Sequence, residues 1–175
     1  MDNHALQRLG HHLTTMRQQR AWSLSLLAEK AGIAKSSLSR LEQGQGNPTL
    51  DTLWRLALQL ETPFSALIAE TLGSVTDGNI SISLLKRHHD ALPVDIYLMT
   101  LAPNASRHAH PHAMGTRETI QVIGGSLQAG VEQAPLTLII GEIHQFAADQ
   151  PHLYRAGPTG ATALVTIFYA KGDMT

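Results

Sequence analysis

Four polar residues in one short stretch, Lys35, Ser36, Ser39 and Arg40, have the types and spacing to read duplex DNA. Leu38 and Leu41, three residues apart, would face inward on a helix and leave these four on its outer side. Lys35 or Arg40 can donate to O6 and N7 of a guanine, and the serines are short enough to approach base edges or phosphates. Ser37 would be a phosphate contact or a packing residue. Arg17 and Arg20, upstream, could reach the sugar-phosphate backbone. A second concentration of chemistry lies beyond residue 80: histidines at 88, 89, 108, 110, 112, 144 and 152, with Glu118 among them.

These residues need elements to hold them, and the hydrophobic period supplies two kinds. Up to residue 72 the period is helical. Leu6, Leu9, Leu13 and Met16 form one stripe, capped by Asp2 or Asn3. Ser23 can cap a second helix carrying Leu24, Leu27, Ala28 and Ala31, which stops at Gly32, a residue able to take the positive φ of a sharp turn. A third runs from about Lys35 to Gln43 and ends at Gly44. Thr49 caps a fourth, with Leu53, Leu56, Ala57 and Leu60 inward. Thr62 and Pro63 serve as cap and first-turn proline of a fifth, with Phe64, Leu67 and Ile68. Residues 73–79 read as a linker and hinge. From Ile80 the period becomes two. Strands are expected over 80–84, 94–101, 119–123, 127–131, 136–140, 144–147, 152–155 and 163–169, with His88 and His89 at a hairpin turn. Many short strands split by turn residues imply a sandwich or barrel.

Composition bounds the function. Of 175 residues 43% are hydrophobic, enough for a core, and net charge is -1. Residues 1–72 hold seven Lys and Arg against six Asp and Glu. Any DNA binding must therefore rest on a few placed cations and on a dimer, not on a basic surface. There is no cysteine, which fits a reducing compartment. No apolar run nears the roughly 18 residues of a membrane span, and the N-terminus has no signal-peptide core. A cytoplasmic protein without membrane contact is expected.

The stretch from Ser23 to Gly44, with Leu41-Glu42-Gln43-Gly44 and then Asn47-Pro48-Thr49-Leu50, resembles the five-helix, lambda-repressor-like domain of XRE (Cro/C1-type) regulators. The resemblance covers about residues 6–70. It implies that Lys35, Ser36 and Arg40 occupy base-reading positions and that double-stranded DNA is the partner. Ala34 stands where the family usually has Ser or Thr at the recognition-helix cap. Such a domain reads few base pairs, so a homodimer on a palindromic operator is expected.

The second half resembles a cupin, an all-β jelly-roll barrel of double-stranded β-helix type. His108 to Glu118, continuing to Gly125 and Leu127, carries the first motif; Gly141-Glu142 and Phe146 to Arg155 carry the second. The resemblance implies His110, His112, Glu118 and His152 as metal ligands, a donor set that suits Zn, Mn, Fe or Ni. The preferred reading is a pocket for a small-molecule effector, with Arg117, Glu118, His152, Tyr154 and Arg155 as its polar groups. Taken without the resemblance, His108, His110 and His112 are equally a solvated loop cluster, and Arg155 a surface residue. The expected architecture is thus multidomain α and β: a helix-turn-helix domain over 1–72, a linker over 73–79 and a cupin sensor domain over 80–175. The expected function is DNA-binding regulation without catalysis. One rival is a cupin metalloenzyme, a dioxygenase or isomerase, fused to a helix-turn-helix domain. A lesser one is an antitoxin-like DNA-binding protein with no effector.

Overall fold

The computed structural model describes residues 3–69, 73–88 and 93–170. The chain divides into two compact units between Gly73 and Ser74.

The first unit is five helices: α1 (Asn3–Gln19), α2 (Leu24–Lys30), α3 (Lys35–Glu42), α4 (Leu50–Gln59) and α5 (Phe64–Ile68). Leu9, Leu13, Leu27, Leu38, Leu53, Leu56, Phe64 and Leu67 form its core. Asp2, one of two expected caps of α1, lies outside the described residues. Ser23 and Thr49 cap α2 and α4 as expected, accepting from Leu26 N–H and Thr52 N–H at 3.1 Å each. Thr62 does not cap α5; Pro63 occupies that position and makes no side-chain cap bond.

Four helices end in the same device. Gly32 N–H donates to the Glu29 carbonyl and Ile33 N–H to that of Ala28, which closes α2 with Gly32 at φ 62°. This paired 5→2 and 6→1 pattern is a Schellman motif, and it needs a left-handed residue. Gly44 fills that position after α3, but Ala21 after α1 (φ 53°) and Glu61 after α4 (φ 46°) are not glycines. Gly10 is required for another reason. A Cβ there would stand 2.5 Å from the Leu41 carbonyl oxygen, so its absence lets α1 lie directly on the end of α3.

The second unit is antiparallel β-structure: β1 (Ser74–Asp77), β2 (Ile80–His88), β3 (Val94–Leu101), β4 (Ser106–Ala109), β5 (Arg117–Val131), β6 (Leu136–Ile139), β7 (Ile143–Ala147) and β8 (His152–Phe168). Two long strands, β5 and β8, organise it. The first part of β5 pairs with the last part of β8, flanked by β7 and by β3-β2-β1. The last part of β5 pairs with the first part of β8, flanked by β6 and β4. Both strands thus pass from one sheet layer to the other, the jelly-roll arrangement expected from the sequence. The passage occurs at register shifts between Val122 and Leu127. Gly125 there (φ 69°) runs so close to Gly160 that any Cβ would overlap its carbonyl oxygen.

Three sequence expectations change. The presumed linker contains a strand, because Val75 is buried and β1 pairs with β2 over Ser74–Asp77. Residues 119–123 and 127–131 are one strand, as are 152–155 and 163–169, because the intervening glycines bend the chain without ending its pairing. Residues 106–109 add the unexpected β4. His88 ends β2, and His89 lies outside the described residues.

Candidate functional site

Two constellations stand out, one per unit. In the first, the Schellman turn at Gly32 delivers the chain into α3. Leu38 and Leu41 are buried, which fixes the helix about its axis. Lys35, Ser36, Ser37 and Arg40 are exposed in consequence, and Ser39 is half-buried, its Oγ accepting from Gln43 Nε2 at 3.1 Å. Of the two alternatives for Ser37, packing is excluded by its exposure. Ala34 makes no side-chain cap bond and Ser37 N–H donates to the Ala34 carbonyl at 3.0 Å, so the N–H groups of Lys35 and Ser36 open α3 without a capping side chain. The outer face of α3 therefore presents two cations, short hydroxyls and backbone donors, a combination that matches phosphates and base edges.

The two arginines assigned from sequence to the DNA backbone are used otherwise. Arg17 binds Glu42 bidentately, Nε to Oε1 and Nη2 to Oε2 both at 2.7 Å, while its Nη1 donates to the Trp22 carbonyl at 2.8 Å. Its side chain is only 13% exposed. The hydrogen bond to Glu42 raises the pKa of Arg17, against the opposing effect of burial. Arg17 is thus a tie between α1 and α3. Arg20 donates through Nη2 to the Leu60 carbonyl at the end of α4. Sequence spacing placed both near the outer face but could not show that each had an internal acceptor.

The second constellation is inside the β unit. Glu118 of β5 and His152 and Tyr154 of β8 are buried, and the His112 side chain is only 6% exposed. His112 Nε2 lies 2.6 Å from Glu118 Oε1, and the Tyr154 hydroxyl donates to Glu118 Oε2. His152 Nδ1 lies 2.8 Å from the Gln150 carbonyl, so that nitrogen carries the proton. Its Nε2 is a lone-pair acceptor, buried without a hydrogen-bond partner among the described residues, 3.8 Å from Glu118 Oε1. Phe146 and Tyr154 wall the imidazole, with ring centroids 5.5 and 5.6 Å away.

The electrostatics follow. Burial alone would raise Glu118; the hydrogen bond and charge of His112, with His152 and Tyr154, outweigh it and leave the carboxyl below its ordinary range. Burial pushes His152 down despite the charge of Glu118. Burial, then Glu118, push the Tyr154 phenol well up. The site at neutral pH holds a carboxylate, a neutral His152 and a phenol. Ligand atoms of His112, Glu118 and His152 lie within 4.8 Å of one another, a set able to hold a divalent metal.

The other assigned residues lie elsewhere. His110 is exposed and outside the cluster. His108 is on the outer surface, paired with Glu132 at 2.7 Å. Arg117 and Arg155 are exposed because each neighbours an inward residue, Glu118 and Tyr154, on a strand whose side chains alternate. Arg155 reaches Gln128 at 3.3 Å. Arg107 was missed. It stands directly opposite Tyr154 in the β4–β8 ladder, hence on the same face, and only the pairing of an unrecognised strand reveals it.

Comparison with known proteins bears on both units. Residues 13–67 match the helix-turn-helix family HTH_3. The chain is 37% identical over 151 residues to the HTH-type transcriptional regulator SutR of Escherichia coli (strain K12), covering 83% of this chain and 85% of the relative. It is 34% identical over 85 residues to the HTH-type transcriptional regulator SinR of Bacillus subtilis (strain 168), covering 48% of this chain and 77% of that one. The crystal structure of an HTH_3 family transcriptional regulator from Vibrio cholerae superposes with a TM-score of 0.88 at 29% identity, over 98% of this chain and all of the other. The Cupin_2 domain of an XRE family regulator from Enterobacter cloacae covers 53% of this chain, and 97% of that domain is matched, at 26% identity and a TM-score of 0.48.

Proposed function

The chain belongs to the HTH-type (XRE) transcriptional regulators, and from that premise we propose that it binds a specific operator and that its cupin-type unit takes a small-molecule effector that alters this binding. The observation that carries the first half is α3, whose polar face is exposed while Leu38 and Leu41 anchor the other side. Lys35, Ser36, Ser37, Ser39 and Arg40 are the contacting set. Lys35 and Arg40 supply base or phosphate contacts, and the uncapped amides at the start of α3 donate to a phosphate oxygen. One such helix specifies too few base pairs, so the active species is a cytoplasmic homodimer on a palindrome.

The second half rests on the buried His112–Glu118–His152–Tyr154 cluster. A buried acceptor without a donor, as at His152 Nε2, is costly unless something else supplies one. A ligand there shifts DNA affinity only through its differential affinity for two arrangements of the protein, typically about 1–3 kcal/mol. The test is footprinting of the purified protein on DNA upstream of its own reading frame, with and without a metabolite extract. We expect two protected half-sites about one helical turn apart and a midpoint moved by roughly 5-fold or more. Protection unchanged by the extract removes the sensing half.

One observation favours a second reading. Two imidazoles and a carboxylate converge in a buried site, as in metal-dependent cupins. If Zn, Mn, Fe or Ni binds, His112, Glu118 and His152 would hold it, and it would supply Lewis acidity to a bound substrate. The unit would then be a metalloenzyme of dioxygenase or isomerase type. Stoichiometric iron or manganese in the purified protein, with turnover, supports this reading; no turnover with any of the four metals eliminates it.

A further inference from the structure

Arg107 and His152 make opposite demands on whatever enters the β unit. β4 has alternating exposure: Ser106 and His108 are exposed, Arg107 is half-buried and Ala109 buried. Arg107 pairs with Tyr154, and Ala109 with His152. Directly opposed residues of an antiparallel pair share a face, so Arg107 lies on the inner face beside Tyr154, one same-face position from His152, roughly 7 Å along the ladder. Among the described residues its guanidinium has no hydrogen-bond or ion-pair partner, although its charge is felt by both His152 and Tyr154. An arginine in this setting offers a planar pair of donors to an oxyanion. Glu118 does not fill that role: its oxygens bond His112 and Tyr154, and among the described residues no ion pair joins it to Arg107.

His152 asks for the reverse. Its Nε2 faces Glu118 Oε1 across 3.8 Å, two acceptors with no hydrogen between them. The missing group is a donor.

We propose that the ligand of this site is a small organic oxyanion carrying a hydroxyl, its anionic end on the Arg107 guanidinium and its hydroxyl donating to His152 Nε2. The roughly 7 Å spacing of the two positions, shortened by the reach of the arginine, fits an acid of three to five carbons with the hydroxyl near the acid group. This rests on the effector-binding reading above and names the class of effector. Ala109 and Ala129, the cross-strand partners of His152 and Tyr154, carry only methyl side chains.

The test uses the chelator-treated full chain and calorimetric titration with lactate, malate and glycerol 3-phosphate. Propionate and succinate are the hydroxyl-free controls, and lactamide the uncharged one. At least one hydroxy acid binds at least tenfold tighter than its hydroxyl-free or uncharged counterpart. Arg107→Gln weakens that binding at least tenfold while Arg107→Lys retains part of it, and His152→Gln reduces the preference for the hydroxyl. Binding of none of the three acids, or binding unchanged in Arg107→Gln, overturns the proposal. Circular dichroism of each variant confirms that the β unit is folded. Operator affinity is read separately. A hydroxy acid that binds through Arg107 without altering operator affinity keeps this inference and overturns the regulatory reading. An operator response to a neutral or cationic metabolite, with no binding of the acids, does the reverse.

Discussion

Arg17 and Glu42 join the end of α1 to the end of α3 by two parallel 2.7 Å hydrogen bonds, with Thr14 Oγ1 adding a third contact to Glu42 at 3.1 Å. The pair sits at the last turn of α3, directly behind the face that would enter DNA, and its geometry fixes how that helix is presented.

Breaking the pair from either side leaves one charge partly buried and unmatched. For fully buried pairs this costs about 3–5 kcal/mol; at 13% and 9% exposure the lower end, about 3 kcal/mol, is expected for Arg17→Ala or Glu42→Ala. Denaturant unfolding followed by Trp22 and Trp54, both in the helical unit, measures it. Glu42→Ala also separates two roles for Arg17. An arginine that contacts phosphate would bind DNA more tightly once freed from its carboxylate; an arginine that positions α3 predicts weaker binding.

Ala21 and Glu61 hold left-handed conformations that glycine takes without strain. A non-glycine there costs about 1–2 kcal/mol, offset by roughly 0.5–1 kcal/mol from the greater freedom of an unfolded glycine. Ala21→Gly and Glu61→Gly should each stabilise the helical unit by about 0.5 kcal/mol. Gly44→Ala should do the opposite, since its Cβ would also meet Gln7 Cα at 2.9 Å.

Acid should weaken the β unit before the helical one. His152 has a folded-state pKa below its ordinary value of about 6.5. The unfolded chain therefore binds the extra proton first, and stability falls as pH drops below about 6.5 toward the folded value. Glu118, also lowered, adds a further loss at more acid pH, as it protonates. Far-UV circular dichroism at pH 8 and pH 5.5 should show a lower β transition at the acid pH, with less change in the tryptophan signal. His152→Gln should flatten the dependence.

The proposed homodimer has a candidate surface. Ile123, Leu136, Ile139, Ile140 and Ile143 are all exposed, between 46% and 64%, around the turn that joins β6 to β7. Leu136 and Ile139 lie on β6, which ends the strand order of its sheet, and exposed apolar residues at a sheet edge are a surface that natural proteins normally cover. Ile139→Asp with Ile143→Asp should give a monomer in sedimentation velocity and weaken operator binding. A dimer unaffected by both charges would place the interface elsewhere.

How much of this was readable from the residues varies by unit. The helical unit was readable nearly to its ends, because leucine spacing, Ser23, Thr49, Gly32 and Gly44 act locally. Gly10 escaped: its role depends on α3 lying across it, which no local pattern encodes. In the β unit, Glu118, His152 and Tyr154 were recognisable as inward residues, but Arg117 and Arg155 were assigned beside them against the two-residue alternation that should have excluded them. His110 is paired with His112 by the cupin resemblance, which does not show that it lies exposed and outside the cluster. Arg107 and the strand at Ser74–Asp77 depend on long-range pairing and were invisible for that reason.

Reading of duplex DNA by the outer face of α3 is open to direct measurement. Fluorescence anisotropy of the purified protein on its own upstream DNA, at several salt concentrations, tests it with Lys35→Ala and Arg40→Ala in one chain. Both side chains are exposed, so the fold should survive. The expected result is a loss of at least tenfold in affinity and a shallower dependence on salt, by about one unit of slope for each lost phosphate contact. Wild-type affinity and slope in that variant would contradict it.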